Sequence, residues 1–70
     1  MINGAALAAM RTLAGYSQAE LARQSGVSQG HISEIESGDK KASPKTIKAL
    51  AEALRVPMPA LLSDPSQAVA

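Results

Sequence analysis

A chain of 70 residues with a net charge of +1 allows one domain, close to the lower size at which an apolar core holds without a covalent or metal staple. It has no cysteine and a single histidine, His31, which excludes disulfides and thiolate sites and leaves His31 without partners for a metal ligand set. The hydrophobic share is 46%, yet much of it is alanine and neither Phe nor Trp occurs, so the core has to be small aliphatic side chains on closely packed helices.

In chain order, the first helix is expected near residues 3–14, with Leu7, Met10 and Leu13 as its inward stripe and Gly15 ending it. A second helix starts at Ser17-x-x-Glu20. This spacing is that of a capping box, in which the Ser17 hydroxyl takes an N–H three residues on and the Glu20 carboxylate reaches back to Ser17. Tyr16 and Leu21 stand at the two positions of a hydrophobic staple. Ala22 leaves room on the inner face for another helix, and Gly26 is the residue most tolerant of the left-handed conformation that ends a helix. Val27 then plugs the turn, and Ser28 caps a third helix whose Ile32 and Ile35 point inward together. The opposite face of that helix, Gln29, Gly30, Ser33 and Glu34, is polar and free to meet a ligand.

Residues 38–42 form a short, polar, basic loop. Ser43-Pro44 is an N-cap followed by proline at the first helical position, and Ile47, Leu50, Ala51 and Leu54 mark the buried face of a fourth helix that Val56-Pro57 breaks. A last short helix is expected around residues 58–63, with Pro59 in its first turn and Leu61 and Leu62 as apolar mass. Residues 64–70 have neither periodicity nor enough apolar mass to pack, so a helical domain over residues 1–63 with a frayed tail is expected. There is no internal repeat and no strand pattern. The fold class is all-α, a compact bundle of five helices.

Residues 18–37, QAELARQSGVSQGHISEIES, are two short amphipathic helices joined by a tight turn, the spacing of a DNA-reading helix-turn-helix. Gln18-Ala19-Glu20-Leu21-Ala22, then Gly26-Val27-Ser28, then Ile32-Ser33-Glu34-Ile35-Glu36-Ser37-Gly38 follow in order. On these motifs the chain resembles the lambda-type Cro and repressor (XRE) helix-turn-helix family, over residues 6–62. The resemblance implies a lambda-repressor-like bundle that reads duplex DNA in the major groove with its third helix and regulates transcription.

It also implies roles for particular residues. Gln29 becomes the first candidate base reader, since a primary amide can both give to and take from an adenine edge. Glu34, on the same face, can accept from cytosine N4 and repels phosphate, so it works as much by exclusion as by attraction; a solvated surface acid is the other reading. Gly30 departs from the family pattern, which often places a base-reading side chain there. It either lets the helix sit closer to the bases or marks a contact given up. Gln18 would bridge a phosphate and the neighbouring Gln29. Ser28, His31 and Ser33 can reach phosphate, although Ser28 is also a cap and His31 reads equally well as a surface histidine.

Lys40, Lys41, Lys45 and Lys48 form a run with no acid among them, while the rest of the chain is net negative. Such a run is ordinarily a solvated face; directly after the reading helix, where the family touches phosphate, Lys40, Lys41, Lys45 and Ser43 become backbone contacts. Arg11 and Glu36 stand where related repressors pair helix 1 with the end of helix 3, and they are read as a structural ion pair.

One module of this size buries too little DNA for genomic selectivity, so a homodimer on a palindromic operator with half-sites about 34 Å apart is expected. Its surface is placed around Met58, Leu61 and the loop before Pro44. Without a second domain the chain looks like a phage Cro-type regulator, or the N-terminal half of a longer repressor. No catalytic triad, paired-carboxylate cleft or phosphate loop is present, so neither an enzyme, a cofactor, a metal nor a small-molecule substrate is expected. No apolar run approaches the roughly 20 residues of a membrane span, and the start MINGAALAAM lacks the basic residues of a secretory signal, which points to the cytoplasm and away from a membrane. The rival reading is an antitoxin or other protein-interaction module on the same fold.

Overall fold

The computed structural model describes residues 2–62, so Ser63 and the expected tail lie outside the described residues. The chain forms α1 (Gly4–Leu13), α2 (Gln18–Ser25), α3 (Gln29–Ser37), α4 (Pro44–Leu54) and α5 (Pro59–Leu62), with no strand among the described residues. Each of the four longer helices begins at a short polar side chain that takes an otherwise orphaned N–H. Asn3 accepts from Ala6, Ser17 from Glu20, Ser28 from His31 and Ser43 from Thr46.

The Ser17 cap is only half of the expected box. The Glu20 carboxylate turns away from Ser17 and takes hydrogen bonds from Gln24 and Arg23. The first of these, with help from Arg23, holds its pKa below the usual carboxylate range. The reason is local: Gln24 at i+4 and Arg23 at i+3 offer charged or amide donors on the same helix face, which outcompete a single backbone N–H.

The helix ends are equally defined. After α3 the N–H of Gly38 bonds the Ile35 carbonyl at 3.1 Å and that of Asp39 bonds the Glu34 carbonyl at 2.9 Å, the paired bonds of a Schellman motif. The same pair closes α4 on Arg55, which has φ 57. A side chain in this left-handed region is strained, and neither composition nor periodicity marks Arg55 for it.

α2 and α3 pack on each other, α4 lies on α2, α1 crosses α3, and α5 returns to α1 and α4. Leu7, Leu21, Ile32, Ile35, Leu50 and Leu61 are the largest wholly buried side chains. All four apolar positions expected on α4 are buried. Tyr16, Ala22 and Val27 pack half-buried against this core, as the staple and plug require.

Two apolar expectations fail. Leu13 is 80% exposed, because the chain from Thr12 to Gly15 is exposed throughout and the last turn of α1 runs past the elements it packs on. Leu61, expected on a dimer surface, is wholly buried in its own core. α5 is a single turn, and burying Leu61 is what holds it down.

α1 meets α3 at unusually close range. A methyl group at Gly4 would lie 2.4 Å from the Ile35 carbonyl oxygen and 2.8 Å from that of Glu36, so only hydrogen fits between the two backbones. Gly4→Ala therefore destabilises the domain by about 1–3 kcal/mol, the usual range for overpacking, although alanine is the better helix former. The midpoint of urea unfolding measures this, and an unchanged or raised midpoint would mean that α1 can move off α3 freely.

Candidate nucleic-acid interface

The turn between α2 and α3 is three residues, Gly26, Val27 and Ser28. Gly26 takes φ 76, Val27 donates its N–H to Ser25 Oγ at 3.1 Å, and Ser28 caps α3. With Ile32 and Ile35 fixed inward, helical periodicity leaves Gln29, Gly30, Ser33, Glu34 and Ser37 exposed together. The surface they form is convex. An open pocket lies elsewhere, between α2 and α4 beside Tyr16, Gln24, Glu52 and Arg55, while the exposed face of α3 is a helix surface suited to insertion into a groove.

His31 is half-buried at the rim of this face, its Nδ1 4.0 Å from Glu34 Oε1. Ser28 Oγ accepts the His31 N–H at 3.1 Å, and Ser43 Oγ accepts the Thr46 N–H at 3.3 Å and pairs with the Thr46 hydroxyl. Capping uses only oxygen lone pairs, so the Ser28 hydroxyl keeps a proton to donate outward. The N–H groups of Asp39 and Lys40 both fold back to the Glu34 carbonyl, at 2.9 and 3.3 Å. That return places the basic loop beside the C-terminal end of the exposed face. Lys40, Lys41, Lys45 and Lys48 are all exposed.

Behind this face Arg11 and Glu36 form a two-pronged pair. Nε donates to Oε2 at 2.7 Å and Nη2 to Oε1 at 3.1 Å, while Nη1 donates to the Tyr16 carbonyl at 2.8 Å. The Arg11 and Glu36 side chains are only 18% and 9% exposed. The hydrogen bond to Glu36 raises the Arg11 pKa above its ordinary value, against an opposing contribution from burial, so the pairing favours the charged guanidinium.

Gln18 joins the same carboxylate. Its Nε2 donates to Glu36 Oε1 at 3.0 Å, so the bond expected toward Gln29 is replaced by one to Glu36. A carboxylate only accepts, so the nitrogen of the amide must face it and the carbonyl oxygen and second N–H face outward. The Arg11 and Glu36 types were legible from the sequence; the Tyr16 carbonyl and the Gln18 amide as further members were not, since no spacing rule links them. Among the described residues no cluster of His, Asp or Glu could hold a metal, and no helix is long and apolar enough to cross a membrane.

A capped helix, a three-residue turn and a second helix with one buried and one open face define a helix-turn-helix module. The chain belongs to the XRE-type helix-turn-helix family, whose profile matches residues 7–61; this is a family of regulatory DNA-binding domains and not a class of enzymes. It is similar to the restriction-modification controller protein C.AhdI from Aeromonas hydrophila, at 34% identity over 83% of this chain and 88% of that one, with a TM-score of 0.81. It is similar as well to the hypothetical transcription factor NHTF from Neisseria, at 31% identity over 91% and 74% of the two chains, with a TM-score of 0.85. The N-terminal DNA-binding domain of the master biofilm-regulator SinR from Bacillus subtilis shares 29% identity over 97% and 99%, with a TM-score of 0.77. No curated protein sequence matches the chain.

Truncating one partner of this half-buried pair leaves the other charge without its partner. Arg11→Ala is expected to destabilise the domain by about 1–4 kcal/mol, between the limits for exposed and buried pairs, read from the urea midpoint, whereas Arg11→Met combined with Glu36→Leu costs less, because an apolar pair leaves nothing unpaired. Single and double changes that simply added would sink the coupling.

Proposed function

We propose that this domain binds duplex DNA sequence-specifically, with α3 in the major groove, and thereby regulates transcription from the cytoplasm. The observation that carries the reading is the open face of α3, polar along its whole length while its opposite face is fixed in the core by Ile32 and Ile35. Exposed lysines and the Gln18 amide, which is bonded to Glu36, lie near it in the structure. The named relatives support a regulator without singling out the phage Cro type.

Gln29 reads adenine through its amide, and Glu34 accepts from cytosine N4 while disfavouring sites that bring phosphate or a carbonyl against it. Gln18, Ser28, Ser33, His31, Lys40, Lys41, Ser43 and Lys45 meet the sugar–phosphate backbone and set the register. Two copies bind a two-fold site. With Leu61 committed to the core, half-buried Met58 just before α5 and the exposed side chain of Leu62 within it, 39% accessible, are apolar groups offered to a partner copy.

Selection from a random duplex library tests the reading as a whole: enrichment of a two-fold sequence is the expected result, and recovery of no preferred sequence alongside tight capture of a protein would favour the interaction-module alternative. Gln29→Ala then weakens binding to the selected site by roughly 1–3 kcal/mol and relaxes the preference at one base pair. An equal loss on all sequences would remove Gln29 from the base readers.

Lys40→Ala with Lys41→Ala should leave that preference intact. The slope of log K against log salt flattens by about one unit for each phosphate contact removed. A slope identical to that of the unaltered protein would place the lysine run away from the DNA.

A further inference from the structure

Four of the five glycines are demanded by the fold. Gly15, Gly26 and Gly38 occupy positive φ, and Gly4 lies where a methyl group would overlap two backbone carbonyls. Gly30 is different. Its φ is not positive, and among the described residues a methyl group added there would meet no atom within 4 Å. It sits in the first turn of α3, where alanine would be the better helix former. Nothing inside the molecule accounts for a glycine at this position.

Its surroundings are those of a contact surface. Gln29 precedes it, and Ser33 and Glu34, at i+3 and i+4, are its neighbours along the helix face; all are exposed. Between these polar side chains the missing side chain leaves a shallow notch floored by the helix backbone. The notch offers Cα hydrogens and no side-chain donor or acceptor. A polar base edge lodged in it would lose its water and gain no partner from Gly30's side. Of the groups that base pairs present in the major groove, the C5-methyl of thymine is the one that is apolar.

We infer that Gly30 is a specificity-determining position at which α3 lies closest to DNA, with a thymine methyl packed into the notch left by the absent side chain. The inference rests on the major-groove reading proposed above. The site read by α3 then carries a thymine next to the base pair contacted by Gln29. Any side chain at position 30 excludes it.

The test compares the unaltered protein with Gly30→Ala on the duplex selected from the random library, and on the same duplex with each thymine in turn replaced by deoxyuridine, which lacks only the methyl group. Gly30→Ala should unfold at the same or a higher temperature and yet bind the thymine duplex roughly tenfold or more weakly, within the usual range for one base contact. Deoxyuridine at one position should bring Gly30→Ala back to the affinity that the unaltered protein has for that same duplex. Undiminished binding of Gly30→Ala to the thymine duplex overturns the inference, and so does a loss that deoxyuridine relieves at no position. Failure of the unaltered protein to select any sequence overturns the underlying reading instead, and is seen before Gly30→Ala is made.

Discussion

The Arg11–Glu36 fork sets how the helices are rotated against one another, in a chain whose single aromatic residue, Tyr16, is only half-buried against the core. It joins the last turn of α1 to the last turn of α3. Through the Tyr16 carbonyl and the Gln18 amide it also reaches the start of α2. Hydrogen bonds have direction where apolar contacts do not, so one carboxylate fixes the mutual orientation of three helices. At the other end of α1, against the same last turn of α3, the absence of a side chain at Gly4 lets the two backbones touch. Contact at one end and a fork at the other leave α1 little freedom to roll.

The fork also shapes the field near the candidate interface. Glu36 lies just behind the exposed face of α3, and an uncompensated carboxylate there would repel a polyanion. Arg11 cancels that charge at hydrogen-bond distance, so the acid serves the fold without opposing the ligand. Glu34 has no such arginine; its nearest basic neighbour is His31, 4.0 Å away. The two carboxylates of α3 are thus electrostatically unlike: one is neutralised by an arginine fork, the other is exposed beside a histidine.

The elements were legible because their ends are written in side chains. Ser17, Ser28 and Ser43 announce three helix starts, Gly26 and Gly38 two helix ends, and the period of Ile32, Ile35, Ile47, Leu50 and Leu54 gives the buried faces. What the pattern cannot say is whether anything lies opposite a given face. Leu13 continues an apolar stripe but has no neighbour over it, and Leu61 looked available because a single turn of helix carries too little periodicity to tell inside from outside. Other features depend on what meets in space: the bare contact at Gly4, the left-handed Arg55, and the turning of Glu20 toward Gln24 and Arg23. The candidate site was legible as a set of residue types. The carboxylate that orients Gln18 was not, because residues 18 and 36 meet only once the bundle has closed.

That closure ends in one bond between the extremities. The N–H of Asn3 donates to the Leu61 carbonyl at 2.7 Å, and the side chain of the same Asn3 caps α1. Ile2 is buried beside them. The single turn α5 and the first turn of α1 are therefore joined by a backbone hydrogen bond as well as by apolar packing. Events at the C-terminal edge, whether a contact with another copy or the loss of one, bear on how firmly α1 is held against α3. The Asn3–Leu61 bond is in this way a distant determinant of how rigidly the domain presents α3.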